Sequence, residues 1–283
     1  MKIQLENDQL RAVIDTHGAE LVSLQNRNRV ELMWSGGPQW PHHAPLLFPI
    51  IGRLVDDVLH HAGSTYSMPK HGFAREMEFE VLESTPRSVG LLLNSNETTA
   101  AMFPFPFSLK TTWKIEGSSL NLAVALINTG QDPMPASIGW HPAFHWDPEP
   151  GWQLVFDQEE SPTVRRVNSL AQLTAGSHPS PLQGRVLHLD EGICANGAVI
   201  FESVNSNAVQ YISPHGPVLN MNFGKFQQFA VWTQPGADFI CLEPWSGLPT
   251  PETFTDEIVR QPGQGLLQPG AKRTFNSRLT LLQ

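Results

Sequence analysis

The 283-residue sequence has only two cysteines, Cys194 and Cys241, and few charged residues. Two cysteines are too few for a disulfide framework or a four-thiolate zinc site. The charged fraction is 16%, below the roughly 25% of an average globular domain. The net charge is −9 and no run of lysine or arginine interrupts it, which argues against nucleic acid or an anionic membrane as a partner. A neutral small molecule remains compatible with this charge.

The sequence also lacks any apolar stretch of about 18 residues, the length needed to span a bilayer. Residues 1–15 alternate polar and apolar side chains without a continuous apolar segment. This pattern predicts a first β-strand and not a signal peptide. We therefore expect a cytoplasmic protein with no membrane partner.

Several signatures of enzyme chemistry are missing as well. The sequence contains no H-E-x-x-H, no C-x-x-C, no G-x-S-x-G and no glycine-rich phosphate loop. Eleven histidines are present, but the adjacent pairs at 42–43 and 60–61 would point to opposite faces of a strand and cannot chelate together. Spacing therefore predicts no metal site, and a cupin-like metal site assembled across several strands is the alternative.

Proline and glycine, by contrast, are plentiful and evenly distributed. The 24 prolines and 22 glycines are typical of many short strands joined by tight turns. The two-residue alternation of half-buried strands is clearest at 120–127, and strands are also expected near 3–5, 79–83, 152–156 and 279–281, with a short helix near 97–102. No linker or repeat interrupts the chain. The sequence predicts one all-β domain over residues 1–283, a large antiparallel β-sandwich of about 15 to 20 strands.

Two segments place a titratable side chain among aromatic residues. In 239–245, Glu243 ends an apolar strand and precedes a proline and Trp245. Burial would raise the pKa of this carboxyl and make it a better base near neutrality. In 138–144, His141 is held between a tryptophan and a proline, and such aromatic faces can stack on pyranose rings. A glutamate pointing outward at a strand end and an ordinary hydrophobic turn are the alternative interpretations.

Two earlier segments combine glycine with basic side chains. The segment 48–53 delivers Arg53, whose planar guanidinium could donate to sugar hydroxyls or to a phosphate. The segment 71–75 contains His71 and Arg75, and its glycine allows the backbone to turn closely. A solvated arginine at a turn and a surface or core histidine are the alternatives here.

Taken together and in this order, these segments resemble the aldose 1-epimerase (galactose mutarotase) superfamily, and most closely its bacterial mutarotase-like branch. The motifs that carry the resemblance are FPIIGR at 48–53, HGFAR at 71–75, FPFPF at 103–107, SIGWHPAF at 137–144 and FICLEPW at 239–245. The similarity covers nearly the whole chain. It implies a large antiparallel β-sandwich and catalysis without a cofactor.

The resemblance also implies roles for individual residues. Glu243 matches the family's general base and His141 its general acid. His71 matches the second pocket histidine, which orients and polarises the sugar. The expected substrate-binding residues are His71, Arg53, Arg75 and Trp245.

The resemblance implies interconversion of the α and β anomers of a hexose by a monomer or homodimer. A hexose-6-phosphate mutarotase that uses Arg53 and Arg75 is one alternative, and a non-catalytic carbohydrate-binding or sensing protein is another. Characterised galactose mutarotases carry a further aspartate that binds sugar hydroxyls, and the sequence offers no clear match to it.

Overall fold

The computed structural model describes residues 1–282, which form short β-strands joined by tight turns. The strands are β1 (Lys2–Glu6), β2 (Leu10–Asp15), β3 (Glu20–Asn26), β4 (Leu46–Leu47), β5 (Val58–His61), β6 (Ser64–Ser67), β7 (Glu80–Thr85), β8 (Ser88–Asn94), β9 (Phe107–Glu116), β10 (Ser119–Asn128), β11 (Met134–Ala136), β12 (Ile138–Trp140), β13 (Ala143–His145), β14 (Gln153–Phe156), β15 (Thr163–Val164), β16 (His178–Pro179), β17 (Val186–His188), β18 (Val199–Phe201), β19 (Ala208–Ser213), β20 (Gly216–Asn222), β21 (Gln228–Trp232), β22 (Phe239–Ser246), β23 (Gly265–Leu267) and β24 (Lys272–Leu281). The helical segments are α1 (Glu97–Ala100) and 3₁₀ turns at Val55–Asp57, Ala74–Glu76 and Ile258–Arg260.

The predicted all-β, antiparallel fold is confirmed. The described chain has 24 strands, more than expected, because nine of them are only two or three residues long and leave no alternation to recognise. The short helix forms where the sequence predicts it. Its first turn is closed by Asn96 and Thr99, whose side chains each accept a hydrogen bond from the other's backbone N–H, at 3.0 and 2.8 Å. Within residues 1–282, no helical segment is long and apolar enough to cross a membrane.

The larger of the two main sheets has nine strands in the order β17-β14-β19-β20-β24-β10-β9-β8-β7. Its central strand β10 pairs along its length with β9 and β24, so that Leu122 lies opposite Trp113 and Val124 opposite Phe275. Every second residue of β10 is buried, as the alternation predicts. This sheet therefore presents one apolar face to the main core.

The second main sheet has six strands, in the order β18-β21-β22-β12-β4 with β13 also paired to β22. All eight residues of β22 are buried. Ile240 and Leu242 belong to the main core shared with the nine-stranded sheet. Cys241, Glu243 and Trp245 alternate with them and therefore point to the opposite face. That face carries the candidate site.

Candidate active site

The register of the six-stranded sheet sets Glu243 and His141 opposite each other. Gly139 of β12 pairs with Trp245 of β22, and Ala143 of β13 pairs with Cys241 of the same strand. His141 lies in the short gap between β12 and β13. Moving two residues inward from either pair places His141 opposite Glu243. The Nε2 atom of His141 lies 3.1 Å from Oε2 of Glu243. Sheet pairing thus joins two residues that are distant in sequence.

Both members of this pair are removed from water. Glu243 is 1% exposed and His141 is 6% exposed. Burial raises the pKa of Glu243 well above its usual value, although the charge of Lys70 and a hydrogen bond from Trp245 oppose the shift. Burial, assisted by the charge of Lys70, lowers the pKa of His141 well below its usual value. Burial therefore favours the uncharged form of each group.

The backbone around His71 adopts the left-handed conformation. The φ angles of His71 and Gly72 are +66° and +74°. A Cβ atom on residue 72 would lie 2.0 Å from the carbonyl oxygen of Phe48, so only glycine fits there. Phe73 follows and is buried in the core. These contacts lock the HGFAR segment onto the FPIIGR segment.

The hydrogen bonds of His71 determine its tautomer. The backbone N–H of His71 donates to the carbonyl of Gly52 at 2.7 Å, and the N–H of Gly52 donates to Nδ1 of His71 at 3.1 Å. Because Nδ1 accepts, the proton of the neutral ring sits on Nε2. Burial and the nearby charge of Lys70 lower the pKa of His71 and keep it neutral. His71 thus offers an N–H donor to the cleft, and its ring lies 5.7 Å from that of His141. Glu243, His141 and His71 are called the floor of the cleft below.

Three tryptophans surround the floor. Trp40 stacks on His141 with ring centroids 4.9 Å apart, and Trp232 meets the same ring edge-on at 5.7 Å. Trp245 lines the cleft beside Glu243, as expected from the sequence. Sequence reasoning missed Trp40 and Trp232. Trp40 lies on a loop outside any motif, and Trp232 reaches the site only because β21 pairs with β22.

Two cationic side chains, Lys70 and Arg75, line the cleft above the floor and are called the rim. Arg75 donates to the carbonyl of Lys70 at 3.1 Å, and its Nε lies 3.3 Å from Glu76. Lys70 makes no ion pair with an acidic side chain of residues 1–282. Its pKa is lowered by burial of the ammonium and by the charge of Arg75. Sequence reasoning missed Lys70 because a lysine just before a motif resembles any surface lysine.

Comparison with known proteins assigns the chain to a family. The aldose 1-epimerase family model matches residues 1–280. The chain belongs to the aldose 1-epimerase family. The resemblance predicted from the five motifs is therefore confirmed.

Relatives of this aldose 1-epimerase family member match it over nearly their whole length. Protein LacX (chromosomal) of Lactococcus lactis subsp. lactis is 29% identical over 266 residues, which cover 88% of this chain and 89% of LacX. A galactose mutarotase-like protein from Lactobacillus casei superposes with a TM-score of 0.94 at 28% identity, covering 99% of this chain and 100% of that one. Galactose 1-epimerase from Lactobacillus acidophilus shares the fold, with a TM-score of 0.72 at 12% identity over 99% of this chain and 93% of that one.

Five of the six predicted site residues of this family member line one cleft: Glu243, His141, His71, Arg75 and Trp245. The sixth, Arg53, is not in the lining. Its guanidinium makes two hydrogen bonds of 2.6 Å to the carboxylate of Asp57. Contact between Arg53 and a sugar stays a prediction. Among residues 1–282, the lining contains one carboxylate, Glu243, and no aspartate.

Three side chains of metal-ligating types also lie together within the described chain. Side-chain ligand atoms of His141, Cys241 and Glu243 are all within 4.8 Å of one another, and the three residues are buried. Burial raises the pKa of the Cys241 thiol well above its usual value. No sequence spacing signals this group, because the histidine comes from a neighbouring segment of the sheet.

Proposed function

We propose that this protein is an aldose 1-epimerase that interconverts the α and β anomers of a hexose by acid–base ring opening. The observation that carries the proposal is the buried pair of Glu243 and His141, with Oε2 and Nε2 3.1 Å apart in the cleft. Membership of the aldose 1-epimerase family supports the same conclusion. So does the similarity to a galactose mutarotase-like protein.

The geometry of the pair suits the reaction. The anomeric hydroxyl and the ring oxygen are bonded to the same carbon, so the base and the acid that serve them must lie close together. Glu243 takes the proton of the anomeric hydroxyl, the bond from C1 to the ring oxygen breaks, and His141 delivers a proton to that oxygen. The open-chain aldehyde rotates about C1–C2, and the two groups reverse their roles to close the ring. No proton or electron pair is left unbalanced.

The electrostatics of the floor also suit acid–base ring opening. A carboxylate whose pKa is raised by burial is a stronger base, and an imidazolium whose pKa is lowered is a stronger acid. Burial favours the neutral forms of both groups, but the ionised pair holds the same number of protons, so one proton moving from Glu243 to His141 across 3.1 Å produces the reactive forms. Each positioned proton transfer contributes about 10²–10⁴-fold to the rate, so the pair needs no metal or cofactor to catalyse ring opening. His71, as a neutral donor, holds a sugar oxygen in place.

Cleavage of a glycosidic bond fits the cleft less well. Glycosidases typically place two carboxylates roughly 5 Å or more apart on either side of the scissile bond. Within residues 1–282, Glu243 is the single carboxylate in the lining. Ring opening requires only the one base.

A second candidate function is mutarotation of a hexose phosphate, favoured by the rim. Lys70 and Arg75 bring two positive charges to the cleft of a protein whose net charge is −9. Cationic side chains are suited to a phosphate, whereas the hydroxyl-binding aspartate of galactose mutarotases has no counterpart in the lining. An anionic group on the sugar, away from C1, would lie against the rim.

The test is anomer exchange measured by polarimetry and saturation-transfer NMR on glucose, galactose and hexose 6-phosphates, with chelator present. We expect acceleration by the wild type, loss of acceleration in Glu243→Gln, and wild-type rates in Glu191→Gln, which alters an exposed glutamate outside the cleft. The sugar accelerated most identifies the substrate. Sugar binding without acceleration by folded wild type would overturn the enzyme and leave a carbohydrate-binding or sensing protein.

A further inference from the structure

Cys241 is a buried nucleophilic side chain beside the floor for which the proposed reaction has no use. It lies two residues before Glu243 on β22 and therefore shares the face of the strand that carries the carboxylate. Its Sγ, a carboxylate oxygen of Glu243 and a ring nitrogen of His141 lie within 4.8 Å of one another. Three different donor atoms thus converge on one buried point.

Two of the polar atoms here lack hydrogen-bond partners. Among residues 1–282, Nδ1 of His141 and Oε2 of Glu243 are buried and have no aligned partner, even though Nε2 of His141 is 3.1 Å from that oxygen. Buried polar atoms are nearly always satisfied by protein, water or a ligand. Because the two ring nitrogens point in different directions, it is Nε2 of His141 that faces the unpartnered Oε2 of Glu243, and this oxygen points to a ligand that accepts its lone pair between the two side chains.

The donor set indicates which ligand. A thiolate, an imidazole and a carboxylate are ligands of zinc-class cations, which bind three protein groups and leave a fourth position open. A thiolate and a carboxylate also cancel the two positive charges of such an ion, so the buried complex would be neutral. The cleft gives the fourth position access to water, since His141 and Glu243 both line it.

We propose that His141, Cys241 and Glu243 form an inhibitory site for a thiophilic divalent cation of the zinc class. Binding replaces the proton of the Cys241 thiol and the proton that the Glu243 carboxyl holds in its neutral form, both of which leave to solvent, and forms bonds from the metal to sulfur, nitrogen and oxygen. The metal occupies the lone pairs with which the floor would exchange protons with a sugar. Metal binding stands independently of the proposed function, whereas inhibition rests on it.

The first test uses Co²⁺ as a spectroscopic probe of the full chain. We expect about one Co²⁺ per chain and a near-ultraviolet thiolate-to-cobalt band that disappears on addition of Zn²⁺. The band should be absent in Cys241→Ser and unchanged in Cys194→Ser, which alters the second buried cysteine of the chain. Absence of the band in wild type, or its survival in Cys241→Ser, would overturn the proposal.

A second variant keeps the test decisive if Cys241→Ser fails to fold. Glu243→Gln retains the thiol but removes a charged ligand, so its Co²⁺ affinity should fall by more than about tenfold, the least that losing even an outer-shell partner commonly costs. An unchanged affinity would exclude Glu243 as a ligand and overturn the site as proposed.

Inhibition is tested separately by anomer exchange. Zn²⁺ should stop exchange by the wild type, a chelator should restore it, and Cys241→Ser should remain active at Zn²⁺ concentrations that stop the wild type. Equal sensitivity of the two proteins would contradict inhibition through this site. If the wild type accelerates no sugar yet gives the cobalt band, the proposed function fails while the metal site stands.

Discussion

The floor and the rim of the cleft differ in their relation to water and charge. The three floor residues are between 1% and 8% exposed, whereas Lys70 as a whole residue is exposed, although its ammonium is partly buried, and the Arg75 side chain is 17% exposed. Burial shifts the pKa values of the floor groups toward their neutral forms; it also lowers the pKa values of Lys70 and Arg75, but these side chains start from far more basic values. Proton transfer is therefore governed by burial and ligand choice by charge, so changes in the two regions should have different effects.

The largest effect is expected from changes in the floor. Replacement of the acid in His141→Asn should lower kcat by about 10²–10⁴-fold, because one positioned proton transfer is lost. The matched control is His145→Asn, four residues along on β13, where the side chain is exposed. Steady-state rates of anomer exchange measure both. Equal rates in the two variants would contradict the role of His141.

The backbone beneath the floor should be nearly as sensitive. Gly72→Ala places a Cβ atom 2.0 Å from the carbonyl oxygen of Phe48, so the chain has to move. Gly63→Ala is the matched control, with a φ of +75° against +74° and open space around the Cβ position. The control should lose about 1–2 kcal/mol of unfolding free energy from conformation alone, and Gly72→Ala clearly more. Urea unfolding compares them, and equal losses would contradict the close contact.

Substitution of His71 separates its structural and catalytic roles. His71→Leu leaves the N–H of Gly52 without an acceptor and should cost about 1–3 kcal/mol of unfolding free energy. His71→Asn keeps an oxygen near the position of Nδ1 and tolerates the positive φ, so it should be more stable than the leucine variant. Both should lose activity, since neither presents the Nε2 donor. Urea unfolding and kcat together distinguish the two roles.

The raised pKa of Glu243 predicts a cost in stability. The carboxyl binds its proton more tightly in the folded than in the unfolded chain, so unfolding free energy should fall as pH rises from about 4.5 toward the raised folded pKa. Glu243→Gln lacks this titration and should become more stable than the wild type as pH rises through that window. Urea unfolding across the window measures the difference. A difference that does not vary with pH would show that Glu243 ionises in the fold without penalty.

The smallest effect is expected at the rim. For a hexose phosphate, Lys70→Met should raise KM by about tenfold, since charge-assisted hydrogen bonds contribute about 1.5–3 kcal/mol and the remaining Arg75 compensates in part. For an uncharged hexose the change should be small. The control is Lys2→Met, which alters an exposed lysine that does not line the cleft. An unchanged KM for hexose phosphates would rule out the second candidate function.

The regular parts of the fold could be predicted from the sequence. The strand β10 is ten residues long, and each buried leucine in its alternation independently indicates a β-strand with one apolar face. Strands of two or three residues, such as β12 and β13, carry no periodicity, and only their neighbours in the sheet define them. The count of strands was therefore the least predictable feature.

The candidate site shows the same division. Glu243, His141 and His71 stand out because each is a polar residue in an apolar or glycine-rich segment. Lys70 and Trp40 do not, since a lysine before a motif and a tryptophan in a loop are ordinary. Their roles follow from three-dimensional packing that one sequence does not encode locally.

The most direct test of the central claim is a double-variant cycle on anomer exchange. Glu243→Gln, His141→Asn and the double variant are compared with the wild type by saturation-transfer NMR. If the two residues act as one acid–base unit, the double variant should be about as slow as either single variant, because removing one partner already disables the other. Independent, additive losses, or a single variant with the wild-type rate, would contradict the account.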